Sequence, residues 1–283
     1  MTIHAIQTGT VAVKAGQPDG GGRRRRSLAR LFADRRWTEP LPILAWVIEH
    51  SEGLIVVDTG ETARATEPGY FTAWQPYFRL GVREWVRPDE EIGPQLRRLG
   101  FSPEDVRWVV ITHLHTDHAG GLAHFPDNEI VTSRRAFHEA RGLAGKMRGF
   151  LPQHWPAGFV PTLVDFEDGA FGTFPTSTRL TEAGDVHLVP TPGHTGGHLS
   201  VAVEDGETLV FLAGDASYTQ SLMLAGRSDG VAPHPAQAVE TLTRIQRLIA
   251  ERPTVYLPSH DPQSTTRLAA RETASQVPSA VTR

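Results

Sequence analysis

Cysteine is absent from the 283 residues of this chain. That removes disulfide frameworks, thiolate nucleophiles, iron–sulfur clusters and Cys-based zinc sites, so any metal must be held by nitrogen and oxygen. No apolar run approaches the ~20 residues that a membrane span requires. An excess of positive charge is missing too: 28 Lys and Arg against 32 Asp and Glu leave a formal net charge of −4. Neutralising phosphates needs a basic surface, which argues against a general nucleic-acid binder. The expectation is a soluble, cytoplasmic protein with neither membrane nor nucleic acid as partner. What the chain has in quantity is histidine, thirteen in all.

Charge is unevenly spread. Residues 1–36 carry eight Lys/Arg against two acids, dominated by the run Arg23 to Arg26. Asp34, Arg35 and Arg36 interrupt the apolar stretch that a twin-Arg export signal needs, so the segment near 14–36 reads as a basic, solvated loop after Gly20 to Gly22. The length can bury a core of its own. The reading is a single domain over 1–273 with a disordered tail at 274–283.

Ile3 to Val13 reads as a strand or hairpin, and Ile43 to Glu49 with Leu54 to Asp58 as two strands around a Ser51-Glu52-Gly53 turn. Asp89 to Leu99 reads as a helix closed by Gly100, and Val106 to Thr112 as a buried strand. A helix opens near Asp117, a short strand spans Glu129 to Thr132, and Arg134 to Arg141 is helical. Strands return at Val186 to Val189, Leu199 to Glu204, Thr208 to Leu212 and Thr254 to Leu257, with an amphipathic helix at Ala236 to Ala250. Two stretches, 61–88 and 142–185, read as irregular and aromatic-rich. Strands followed by strand–helix alternation predict a layered α/β protein, its sheets covered by helices.

The segment that carries chemistry is His113-Leu114-His115-Thr116-Asp117-His118, directly after the buried strand. Side chains two apart on an extended chain point the same way, so His113 and His115 can grip one cation. A helix starting at Asp117 swings Asp117 and His118 to the other side, toward a second. His194 in a Pro-Gly-His turn, Asp215 after the strand ending in Ala213-Gly214, and His260 after the last strand add ligands at strand ends.

His-x-His-x-Asp-His followed in order by a Gly-His, a Gly-Asp and a final His resembles the metallo-β-lactamase superfamily, over about Pro42 to Asp261. The resemblance implies an αββα sandwich with two mixed sheets. It implies one metal on His113, His115 and His194, a second on Asp117, His118 and His260, and Asp215 between them. Zinc suits these ligands first; cobalt, manganese and iron are also accepted. Asp215-Ala216-Ser217-Tyr218 looks like the Asp-x-x-Tyr segment of the quorum-quenching N-acyl homoserine lactonases, in which a metal-bridging hydroxide opens the lactone ring. That likeness gives Tyr218 and Asp117 catalytic roles and an acylated lactone as substrate. The commonest β-lactamases of the family place Cys where this chain has Asp215.

Asp58 reads either as the support of a ligating His or as a simple turn residue, and His198 as a structural hydrogen-bonder near His194. Thr116 is smaller and more polar than the Phe found there in some lactonases. Phe71, Trp74, Phe78, Phe150, Trp155 and Phe159 are the candidate walls of an acyl pocket, each also open to a core or dimer-interface reading, and an aromatic-rich loop makes a homodimer plausible. The alternatives are a thioesterase of the glyoxalase II type or a phosphotriesterase of the same fold, and a non-catalytic metal-binding sensor or interaction protein.

Overall fold

The computed structural model describes residues 1–23 and 27–275. Twelve strands among them form two sheets. The first sheet takes β1 (Thr2–Val13), β2 (Leu41–Glu49), β3 (Leu54–Val57), β4 (Val82–Trp85), β5 (Val106–Val110), β6 (Glu129–Ser133) and β7 (Thr162–Val164), in the order β4-β1-β2-β3-β5-β6-β7. The second takes β8 (Thr178–Arg179), β9 (Val186–Pro190), β10 (Leu199–Asp205), β11 (Thr208–Gly214) and β12 (Thr254–Pro258), in the order β12-β11-β10-β9-β8. Both are mixed: β3, β5, β6 and β7 run parallel, as do β11 and β12, and the remaining pairs are antiparallel.

The near-continuous apolar runs are explained by burial on both faces. Leu44, Trp46, Ile48, Ile55, Val57 and Val110 turn inward to meet Leu188, Val201, Val203, Val210, Leu212 and Leu257 of the second sheet. The alternate residues Ala45, Val47, Val56 and Val109 turn outward onto Ile92 and Leu96 of a helix at Ile92–Arg98. Phe211, Ala213 and Tyr256 do the same against Leu242, Ile245 and Ile249 of the helix Pro235–Glu251. A period of two in the strands and of 3.6 in the helices thus yields the helix–sheet–sheet–helix layering.

The hairpin at Ser51-Glu52-Gly53 and the long C-terminal helix lie where the sequence placed them. The expected helix Asp89 to Leu99 is instead a 3-10 turn at Pro88–Glu90 and a separate helix from Ile92. Glu91 is extended between them, because its carboxylate accepts from the Ala63 N–H at 2.8 Å and lies 2.6 Å from His124 Nε2. The stretches read as irregular contain the short strands β4, β7 and β8 and helices at Pro76–Leu80 and Gly142–Met147, all too brief for periodicity to register. The tail expected to be disordered from 274 begins ordered: Ala274 is buried and donates its N–H to Thr254. The rest of that tail, residues 276–283, and Arg24 to Arg26 lie outside the described residues.

One rim of the sandwich collects the ends of β3, β5, β11 and β12 and the turn between β9 and β10. Backbone bonds there cross between the sheets, Leu199 N–H to Thr112 at 3.0 Å and Leu44 N–H to Ser259 at 3.1 Å. Residues that follow these strands are therefore held together although they lie far apart in sequence. Among the described residues no helix is long and apolar enough to cross a membrane.

Candidate metal centre

Past β5 the chain stays extended through His113 and His115, then turns into a one-turn helix at Thr116–Ala119. His113 Nε2 lies 3.0 Å from His115 Nδ1, which lies 3.0 Å from His194 Nε2. Three ring nitrogens thus face one point. Asp117 and His118 turn the other way, as expected, to meet His260: Asp117 Oδ2 is 3.3 Å from His260 Nε2, and Asp117 Oδ1 is 3.9 Å from His118 Nε2. Asp215 stands between the two groups. Its Oδ1 is 3.3 Å from both His118 Nε2 and His260 Nε2, and its Oδ2 is 3.5 Å from His194 Nε2.

The opposite nitrogens of these rings have partners that orient them. His118 Nδ1 lies 2.8 Å from Asp58 Oδ2, His194 Nδ1 lies 3.2 Å from Asp229 Oδ2, and His260 Nδ1 donates to the Pro42 carbonyl at 2.8 Å. With a proton on each Nδ1, the three Nε2 atoms offer lone pairs inward, the tautomer a metal ligand needs. His118 Nε2 and Asp215 Oδ1 are fully buried and have no hydrogen-bond partner among the described residues. Such orphans are costly unless a cation satisfies them, and the all-nitrogen and oxygen donor set suits divalent transition metals. The residues fit two cations in the arrangement His113, His115, His194 and Asp117, His118, His260, with Asp215 shared.

Asp58 is more than a turn residue. It follows β3 with φ of 60°, a conformation uncommon outside glycine but tolerated best by Asp and Asn. Its carboxylate accepts from the Thr112 N–H at 2.8 Å and the Thr112 hydroxyl at 2.9 Å besides facing His118. His198 supports the centre from behind: its Nε2 accepts the Asp215 N–H at 2.9 Å, and its Nδ1 lies 2.8 Å from the Thr191 hydroxyl.

Electrostatics divides the cluster. Burial, reinforced by the neighbouring rings His118, His115 and His194, holds the His113 imidazole well below its usual range. Burial and His194 hold His115 near 3. Burial opposes charging His260 as well, but Asp215 and Asp117 outweigh it and push that ring up to about 10.

Above the centre opens a cavity with about 1100 Å³ of empty space, its mouth included. His115, Asp117, His194, Asp215 and Tyr218 form its floor, and Val11, Val13, Phe32, Tyr77, Phe78, Val82, Met147 and Phe150 much of its apolar wall, with Gln75, Glu139 and Arg148 among the polar residues beside them. Of the expected pocket residues, Thr116, Phe78 and Phe150 line it. Phe71 does not; it stacks behind Phe78, with ring centroids 4.5 Å apart. Trp155 and Phe159 pack with Phe137 in the outer core, and Trp74 is 55% exposed away from the lining. Aromatic content alone could not tell lining from packing.

Several residues at the site escaped the sequence reading. Asp229 carries only the weak signal of an Asp-Gly pair. Leu28 and Phe32 reach the cavity from the segment read as a solvated basic loop, which forms a helix at Leu28–Ala33. Glu84, on β4, reads like a surface residue between Arg83 and Trp85. It lines the cavity and meets Glu61, and burial raises both carboxyls, Glu61 to about 7. Gln17 donates from one Nε2 to both the Tyr77 and the Tyr218 hydroxyls, at 2.8 Å each.

A profile of the metallo-beta-lactamase superfamily matches residues 38–260. A probable metallo-hydrolase of Mycobacterium tuberculosis is 36% identical over 180 residues, 61% of this chain, and the match spans just over half, 56%, of that relative's length. An N-acyl homoserine lactonase of Bacillus cereus is 30% identical over 187 residues, 64% of this chain and 66% of its own. Among solved structures, an N-acyl homoserine lactone hydrolase with the product N-hexanoyl-L-homoserine bound at its catalytic metal centre superposes with a TM-score of 0.75. It covers 93% of this chain and 94% of its own at 21% identity, a likeness of fold. A structure described as the hydrolase AbOPH in the beta lactamase superfamily superposes with a TM-score of 0.59, at 17% identity and covering 93% of this chain and 88% of its own. With the family profile matched from the first strand beyond the basic segment to the final histidine, the chain belongs to the metallo-beta-lactamase superfamily.

Proposed function

We propose that this protein is a dinuclear metallohydrolase that opens the ring of N-acyl homoserine lactones and so acts in quorum quenching. The observation that carries the reading is Asp215 shared between two ligand triads on the floor of a mostly apolar cavity, with the Tyr218 phenol beside it. His113, His115 and His194 would hold one divalent cation and Asp117, His118 and His260 the other, zinc in both being the first choice. Bound there, such ions make a nucleophile of water near neutral pH and polarise a carbonyl oxygen.

The protein's own groups do the rest. Tyr218 stacks on His260, centroids 5.5 Å apart, and burial raises its phenol well above the usual range, so it keeps its proton to donate. It hydrogen-bonds the lactone carbonyl oxygen and follows it as negative charge develops there. Asp117, at the cavity floor, takes the proton that the attacking water releases and passes it to the ring oxygen as the acyl–oxygen bond breaks. The product is the N-acyl homoserine. Apolar walls favour an acyl tail over a phosphodiester or the charged glutathione moiety. The lactonases among the relatives support the same choice.

Purified protein with quantified metal should hydrolyse N-acyl homoserine lactones at least tenfold faster, in kcat/KM, than a glutathione thioester or a phosphotriester, a margin equal to roughly 1.4 kcal/mol of transition-state binding. The proposal is wrong if either competitor is preferred by orders of magnitude. Tyr218→Phe should lower kcat by roughly 10–100-fold with metal content unchanged, as elemental analysis and steady-state kinetics would report. Asp58→Ala should weaken metal affinity roughly 10–100-fold, measured by chelator competition, because His118 loses the partner that fixes its ring.

A further inference from the structure

Tyr77 has no part in the chemistry above, yet it is built into the same hydrogen-bonded unit as Tyr218. Gln17, 1% exposed and outside the cavity lining, sits behind both rings. A primary amide nitrogen carries two hydrogens, and here one goes to each phenol oxygen, both at 2.8 Å. Each phenol therefore accepts from Gln17 and keeps its own O–H for the cavity that both rings line. Burial, with the nearby charge of Asp117, raises the Tyr77 phenol, which stays a neutral donor.

Position along the cavity gives the two donors different work. Tyr218 stands at the metal end, against His260. Tyr77 stands toward the apolar end, its ring 5.7 Å from Phe78 and 6.5 Å from Phe32. Tyr218 is buried and Tyr77 only partly so, which with these ring contacts gives the order ligand cluster, Tyr218, Tyr77, apolar wall from the metal end outward. An N-acylated lactone has the same order: ring carbonyl, amide carbonyl, acyl tail. Resting on the lactonase reading, we infer that Tyr77 is a specificity-determining residue whose phenol donates to the substrate's amide carbonyl, and that Gln17 positions both phenols.

This makes the enzyme selective for acylamino lactones over lactones that carry only an alkyl tail. Removing a hydrogen bond that one substrate makes and the other lacks should shift their ratio by about tenfold. Tyr77→Phe is thus expected to lower the kcat/KM ratio of N-hexanoyl homoserine lactone to an alkyl γ-lactone of equal length about tenfold, mostly through KM. Gln17→Glu, whose carboxylate draws both phenol hydrogens away from the cavity, should raise KM and also lower kcat at unchanged melting temperature and metal content.

An equilibrium readout separates this inference from the reading beneath it. The N-hexanoyl α-amino-γ-lactam, which resists hydrolysis, should bind Tyr77→Phe about tenfold more weakly than wild type by calorimetry, while the matching alkyl lactam is affected less. Melting temperature and metal content of each variant check that it is folded. Wild-type protein that opens neither lactone overturns the lactonase reading, and the lactam pair still decides the role of Tyr77. Equal losses for the acylamino and alkyl compounds, or no loss for either, overturn the inference.

Discussion

The two oxygens of Asp215 face different ligand sets, and the rest of the rim is arranged around that fact. Oδ1 lies between His118 and His260 and Oδ2 beside His194, so one carboxylate spans both triads. It can do so only because the sandwich brings the ends of β5, β11 and β12 to one edge and stitches them across the sheets by backbone bonds. Gly214 at φ of 55° makes the turn that delivers it, and the ring of His198 takes its backbone N–H. Outer partners complete the arrangement: Asp58, Asp229 and the Pro42 carbonyl each occupy one nitrogen of an imidazole and turn the other toward Asp215. Their work is to pre-set tautomers before any ion arrives.

The centre was more legible than its surroundings, for a physical reason. His113, His115, Asp117 and His118 are adjacent in sequence, and the strand and helix periods dictate which way each points. His194, Asp215 and His260 stand directly after strands or tight turns that composition marks clearly. The sandwich followed from apolar runs long enough to show alternate faces. Short elements such as β7, β8 and the helix of residues 76–80 offer too few residues for a period to appear, and Glu91 broke a helix through side-chain bonds that only the folded chain supplies.

The cavity was the least legible part. Its walls come from β1, β4, the segment after the basic run and the helices near 76 and 142, brought together only by tertiary packing. Phe78 and Phe150 line it while Trp74, Trp155 and Phe159 do not, a division that depends on ring direction and is invisible to residue type. Gln17 and Tyr77 are 60 residues apart and join Tyr218 across 201. A hydrogen bond of that span leaves no local pattern.

Absence of cysteine set the terms of the chemistry, and Asp215 is where that constraint acts, as the one carboxylate among the described residues that faces both triads. Anomalous diffraction from crystals grown with zinc tests this most directly. The account predicts two peaks, one among His113, His115 and His194 and one among Asp117, His118 and His260, both within ligand distance of Asp215, about 2 Å. A single peak at full metal loading, or two of which Asp215 touches only one, would contradict it.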